Sequence, residues 1–305
     1  MGRRVSGEDV AMKVGFIGLG NIGNPMAANL RRSGFELVVH DLRRKSANNL
    51  VAAGATWADD PRQLAAASDV VITSLPGPVE VRTVLEGERG VIGSIRAGGA
   101  WIDMSTNSIV EVRRLGAILA AKGVEALDSP VTGGVENARK GKVTMFVGGE
   151  RGSFERLRPV FEGIGDKTFH MGPLGAGTTT KLITNMIGFI QILALGEGLM
   201  LGARGGLDLG TLRQAIVAST AGSFMAENDV PMIFDGSYDP SFSLKLVCKD
   251  IRLAVELART LDVPVELAAL VEQTCNRARI QYGEDKGILT IVKLIEDATG
   301  VSLRA

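Results

Sequence analysis

Lys13-Val14-Gly15-Phe16-Ile17-Gly18-Leu19-Gly20-Asn21-Ile22-Gly23 decides the fold of this 305-residue chain. Lys13 to Ile17 is a short apolar run of the kind that forms a buried strand, and Pro25 to Ser33 has helical spacing. Between them stands Gly-x-Gly-x-x-Gly, in the strand-to-helix setting that gives the pattern meaning. Gly18 permits the tight turn, Gly20 lets a pyrophosphate approach the backbone, and Gly23 lets helix pack on strand. Leu19, Asn21 and Ile22 complete the loop, whose amide hydrogens meet an anion at the helix N-terminus. The reading is a dinucleotide-binding unit with Gly18 to Gly23 against the cofactor.

Further strands follow at Leu37–His40, Val70–Thr73, Ala100–Asp103, Glu125–Leu127 and Thr144–Val147, with helical stretches such as Arg43 to Ala53 between them. Alternating strands and helices predict a doubly wound, Rossmann-like parallel sheet. Asp41 ends the second strand about 20 residues past the glycine loop, where an acid accepts hydrogen bonds from the adenosine ribose. A carboxylate there repels a 2′-phosphate, so NAD is favoured. Arg43 and Arg44 leave NADP open, since two arginines could clamp that phosphate. Leu75-Pro76 and Ser105-Thr106 lie at carboxyl ends of strands, where ligands bind in open α/β sheets; Leu75, Pro76 and Thr106 are candidate cofactor contacts. Ser105-Thr106 could instead cap a helix.

The pattern changes after Gly172–Gly175. From Gly177 to about Arg204 the sequence has helical periodicity without proline, a span of about 40 Å at 1.5 Å per residue. Helical segments alone follow, at Leu209–Ser219, Lys249–Leu261, Pro264–Tyr282 and Leu289–Thr299. The expected organisation is a disordered tail at 1–11, a dinucleotide-binding α/β domain at 12–174, and an all-α domain at 175–305 entered through the long helix. With 34 basic and 34 acidic residues, the chain has no electrostatic reason to bind nucleic acid or an anionic membrane. No uninterrupted apolar run reaches the roughly 18 residues of a membrane span, and the first nine residues lack the apolar core of a secretory signal. Two cysteines, Cys248 and Cys275, fit a reduced, cytoplasmic setting. His40 and His170 have no ligand-spaced neighbours, so both read as structural and no metal is expected.

The stretch Gly15 to Leu30 resembles the opening signature of the β-hydroxyacid dehydrogenases, which include 3-hydroxyisobutyrate dehydrogenase, tartronate semialdehyde reductase and, more distantly, 6-phosphogluconate dehydrogenase. Four further pieces match in order: Ile102-Asp103-Met104-Ser105-Thr106, Asp128-Ser129-Pro130-Val131-Thr132-Gly133-Gly134, Gly175 to Asn185, and Lys249-Asp250. The resemblance implies that Lys181 is the catalytic lysine and that Asn185 orients the substrate. It implies that Thr132, Gly133 and Gly134 hold the substrate carboxylate, with threonine where serine is more usual. Thr106 and Lys249 then lie near the nicotinamide, and the protein forms a homodimer or homotetramer. Thr184 replaces a common asparagine, Asn107-Ser108-Ile109 lacks the usual proline, and Gly283 to Thr290 departs from the common wording.

The implied reaction interconverts a small β-hydroxy acid and its semialdehyde by hydride transfer coupled to proton transfer. Lys181 can serve as general acid/base if burial and a second cation, Lys249, lower its pKa from about 10.4 towards neutrality. The carboxylate loop would select acids over plain alcohols. Imine reductases resemble this family but usually replace the lysine, as do non-catalytic dinucleotide-binding relatives; Lys181 argues against both. Phe224, Met225 and Phe242 are expected to pack in a core.

Overall fold

Short apolar runs in the first half of the chain pair into a nine-stranded sheet. The computed structural model describes residues 12–238 and 241–305, so the expected tail at 1–11 lies outside the described residues. The chain divides into two compact units, one ending at Lys181 and the other running from Leu182 to Ala305. The strands are β1 (Lys13–Ile17), β2 (Glu36–His40), β3 (Thr56–Trp57), β4 (Val70–Thr73), β5 (Ala100–Asp103), β6 (Glu125–Asp128), β7 (Val131–Thr132), β8 (Thr144–Gly148) and β9 (Lys167–Gly172). Their order is β3-β2-β1-β4-β5-β6-β8-β7, with β9 also paired to β8. From β3 to β6 every pairing is parallel, while β8 runs antiparallel to β6 and β7. The first six strands therefore have the doubly wound order, whose direction reverses between β1 and β4 and opens a crevice at their carboxyl ends.

Alternation along the strands explains why they read as continuous apolar runs. Phe16, Val39, Ile72 and Ile102 enter one core, whereas their neighbours Ile17, Val38, Val71 and Trp101 enter another on the opposite face. Helix Gly23–Arg32 contributes Met26 and Leu30 to the first core, and helix Ile109–Ala120 contributes Leu115 and Leu119 to the second. Each such fully buried Phe, Met or Leu contributes about 1.5–3 kcal/mol.

The long helix spans Ala176–Arg204. Its most apolar stretch has a mean hydropathy of 1.7, enough by length and composition to cross a membrane. The expectation that no apolar run is long enough is thus corrected: Thr, Asn, Gln and Gly break the strictly apolar runs of this helix without lowering its average below that level. Phe189, Ile192, Leu199 and Met200 from this helix pack in the core of the second unit. Helices Leu244–Thr260 and Glu266–Tyr282 pack on each other and supply Val247, Ile251, Val271 and Cys275 to the same core. Several helix boundaries differ from expectation, two of them by more than the end residues. The helix carrying Lys249 starts five residues earlier, at Leu244, and Leu289–Thr299 is a 3-10 turn at Ile288–Val292 followed by a helix at Lys293–Thr299. Met225 and Phe242 pack against the core as expected, but Phe224 is 57% exposed and does not.

Candidate active site

Sequence and geometry agree closely at the glycine loop. A Cβ on Gly18 would lie 2.2 Å from the Ser74 carbonyl oxygen, and one on Gly23 would lie 2.0 Å from that of Gly18. A Cβ on Gly20 would meet nothing within 4 Å. Two glycines are thus demanded by backbone packing, and the middle one leaves an open approach, as a bound pyrophosphate needs. Asp41 Oδ2 accepts the Leu19 amide hydrogen at 2.8 Å, and Oδ1 accepts that of Arg43 at 2.8 Å. The carboxylate is thereby fixed between the end of β2 and the loop. A groove of about 480 Å³ begins at Leu19, Gly20 and Asn21 and runs along helix Gly23–Arg32. Arg32, Arg43, Lys45 and Arg139 line it, with no carboxylate among the described lining residues. The residues present fit an NAD(P) dinucleotide.

Beside this loop, β4 and β5 end in a buried polar network. Asp103 is fully buried; Oδ1 accepts from Thr73 Oγ1 at 2.9 Å and the Ser105 amide at 3.1 Å, while Oδ2 accepts from Asn107 Nδ2 at 2.7 Å. Burial pushes the Asp103 carboxyl above the usual aspartate range against the pull of these hydrogen bonds. Ser105 Oγ accepts the Leu75 amide at 2.9 Å, so it joins the two loops instead of capping a helix. Leu75 and Thr106 are half-buried and Pro76 is exposed. Asn107, in the stretch that lacks the usual proline, is thus an integral strut of this end of the sheet.

Thr132 lies in β7, paired with Thr144, and Gly133-Gly134 turns from that strand into helix Gly134–Arg139. Gly133 has φ +124° and Gly134 φ +76°, a consecutive pair that side-chain-bearing residues rarely adopt. Asn137 Nδ2 donates to the Gly133 carbonyl at 2.8 Å and holds the turn. Asp128, four residues before Thr132, is fully buried, and its carboxylate accepts the amide hydrogens of Gly175 and Thr178 at the start of the long helix. Burial raises its pKa, and those two amides pull it back.

Lys181 and Asn185 share one face of the long helix at i, i+4 spacing, both half-buried. In the second unit, Asn185 Nδ2 donates to Asp250 Oδ2 at 2.8 Å, and Lys249 Nζ lies 2.7 Å from Asp250 Oδ1. Asp250 is 3% exposed and the Lys249 side chain 15% exposed, so Lys249 is not a solvated helix start. The structural parts played by Asp128 and Asp250 went unread in the sequence, although both stand inside quoted motifs. An acid at a buried strand end, or facing inward on a helix, was the available signal. His40 Nδ1 lies 2.9 Å from the Ala58 carbonyl and His170 Nε2 lies 2.8 Å from that of Gly149.

Residues 13–172 match the family described as the NAD binding domain of 6-phosphogluconate dehydrogenase. Residues 175–295 match the family described as NAD-binding of NADP-dependent 3-hydroxyisobutyrate dehydrogenase. The chain belongs to the β-hydroxyacid dehydrogenase family. It is 34% identical to 2-(hydroxymethyl)glutarate dehydrogenase of Eubacterium barkeri, over 96% of this chain and 98% of that one. It is 36% identical to 3-hydroxyisobutyrate dehydrogenase of Pseudomonas aeruginosa, over 84% of this chain and 89% of its relative. Among solved structures, a Mycobacterium tuberculosis 3-hydroxyisobutyrate dehydrogenase with L-serine superposes with a TM-score of 0.86 at 28% identity, covering 94% of this chain and 99% of that one. This β-hydroxyacid dehydrogenase is accordingly an NAD(P)-dependent oxidoreductase that acts on a CH–OH group.

Proposed function

We propose that this β-hydroxyacid dehydrogenase interconverts a 2-substituted 3-hydroxypropanoate and its semialdehyde, with Lys181 as general acid/base. The observation that carries the reading is the pairing of Lys181 and Asn185 on one helix, with the Asn185 amide nitrogen committed to Asp250. That commitment leaves the Asn185 carbonyl oxygen to accept the substrate hydroxyl. Bound NAD(P) supplies the hydride acceptor for oxidation and the donor for reduction. Lys181 takes the hydroxyl proton in oxidation and returns it to the carbonyl oxygen in reduction. Thr132 Oγ1 and the Gly133-Gly134 backbone bind the carboxylate. Gly18 to Gly23, Asp41, Leu75, Pro76, Thr106 and Lys249 hold the cofactor, with Asp41 favouring NAD.

The substrate class follows from chemistry common to the relatives. Hydroxyisobutyrate and 2-(hydroxymethyl)glutarate are the substrates in the relatives' names, and serine is bound in the solved relative. All three are 3-hydroxypropanoates that differ in the group on C2. A glycerate substrate, as in tartronate semialdehyde reductases, belongs to the same class. A homodimer or homotetramer is part of this reading, supported by exposed Leu267 and Leu270 on helix Glu266–Tyr282 and Leu201 on the long helix.

A panel of 3-hydroxypropanoates varied at C2, each assayed with NAD and NADP, tests the reading. Turnover of several members and none of the matching alcohols without a carboxylate is expected. Preferential turnover of secondary alcohols without a carboxylate would contradict the role given to Thr132–Gly134.

A further inference from the structure

Helix Ala176–Arg204 begins without a local cap. The residues before it, Pro173-Leu174-Gly175, offer no side-chain oxygen for the amide groups that a helix N-terminus leaves unpaired. The acceptor comes from 47 residues upstream, where Asp128 Oδ1 takes the Gly175 amide hydrogen at 2.7 Å and Oδ2 takes that of Thr178. We propose that Asp128 is a positioning residue for Lys181: its buried carboxylate fixes the first turn of the long helix to the strand that opens the Thr132–Gly134 loop. Thr178 precedes Lys181 by three residues, so the anchored amide and the lysine lie on one face. A carboxylate at this end also complements the helix dipole.

The surrounding packing leaves this docking little freedom. Asp128 pairs with Gly148 across β6 and β8. A Cβ on Gly148 would lie 2.3 Å from Asp128 Oδ1, and one on Gly177 would lie 2.1 Å from the Phe146 carbonyl oxygen. The helix start therefore rests on the strand backbone at a distance that admits no methyl group. The Asp128 carboxylate is bonded to Gly175 and Thr178, whereas the glycine loop after β1 is bonded to His40 and Asp41. The lysine and the carboxylate loop are thus tied to one acid, while cofactor binding is served by separate residues. This inference rests on Lys181 as the general acid/base.

The test is a double-mutant cycle between Asp128→Asn and Lys181→Met in the full-length enzyme, with all four proteins assayed at one temperature about 15 °C below the lowest of their melting temperatures. Asparagine offers one acceptor oxygen where two amides need one each. The expected result for Asp128→Asn is a kcat lowered about 10- to 100-fold. A shifted pH profile of kcat, weaker inhibition by a non-reactive short-chain carboxylate, and unchanged NADH affinity by fluorescence titration should accompany it. Added to Lys181→Met, the same change should slow turnover by no more than about twofold, because a mispositioned residue that is already absent costs nothing further. Gly177→Ala displaces the helix start without substituting any site side chain, and should give the same kinetic pattern if Asp128→Asn fails to fold. Wild-type kcat and pH profile in a folded Asp128→Asn would overturn the proposal, as would effects that multiply with Lys181→Met. Undiminished turnover in Lys181→Met alone would remove the acid/base reading and the positioning role with it.

Discussion

Asn185 donates from Nδ2 to Asp250 Oδ2 at 2.8 Å, while the other Asp250 oxygen lies 2.7 Å from Lys249 Nζ. One nearly buried carboxylate thus orients an amide on the long helix and neutralises a cation on its own helix. In the proposed mechanism the Asn185 oxygen meets the substrate hydroxyl while the amide nitrogen stays on Asp250. Asp250→Ala should release both groups. The expected outcome is a fall in kcat of about 100-fold, equalled by Asn185→Ala and not deepened in the double variant. Steady-state kinetics with melting curves read this directly; a kcat within twofold of wild type for a folded Asp250→Ala would sink the orienting role.

We assign the choice between NAD and NADP to Asp41. Its two oxygens are held by the Leu19 and Arg43 amides, which keeps the carboxylate at the end of β2. Arg43 and Lys45 line the adjoining groove and could pair with a 2′-phosphate once that carboxylate is gone. Asp41→Ser should raise kcat/KM for NADP relative to NAD by about 10-fold, on the order of one removed like-charge contact. An unchanged ratio would mean that Asp41 does not read the ribose.

Buried Asp103 gives a signed pH dependence. Burial raises its folded-state pKa, so the folded protein keeps this proton to a higher pH than the unfolded chain does. Above the unfolded aspartate value of about 3.9, the native state binds more protons, and stability from this group falls as pH rises towards the raised value. Glu111, held low by Arg114 and Arg82, acts with the opposite sign but is common to any Asp103 variant. Asp103→Asn should be less stable overall, since the Asn107, Ser105 and Thr73 donors would face an amide with a single acceptor oxygen. Its stability should nevertheless decline less with pH, by up to about 1.4 kcal/mol per unit. Urea melts between pH 4 and 7 measure both slopes, and identical slopes would refute the assignment.

The legible parts of the fold were those whose signal is local. β1, β4 and β5 match their expected limits because each is a buried apolar run ended by polar or glycine residues. β3 and β7, at two residues each, are too short to show periodicity. β9, Lys167–Gly172, alternates exposed and half-buried residues at the sheet edge and so lacks a buried apolar face, with Phe169 and Met171 on its exposed side. In the site, motif order drew attention to Lys181, Asn185, Lys249 and the Thr132–Gly134 loop. It could not reveal that Asp128 caps the long helix from 47 residues away or that Asp250 holds Asn185 from 65 residues away, because both contacts are products of tertiary packing.

The proposed mechanism places Lys181 at the centre of the chemistry, and one substitution addresses it most directly. Lys181→Met keeps an unbranched apolar stem of similar length and removes the amine to which we assign the proton transfer. With the best 3-hydroxypropanoate of the panel and NAD, turnover should fall by a factor of about 10² to 10⁴, while NADH binding and the melting temperature stay near wild type. Turnover undiminished in Lys181→Met would contradict the assignment of Lys181 as the general acid/base.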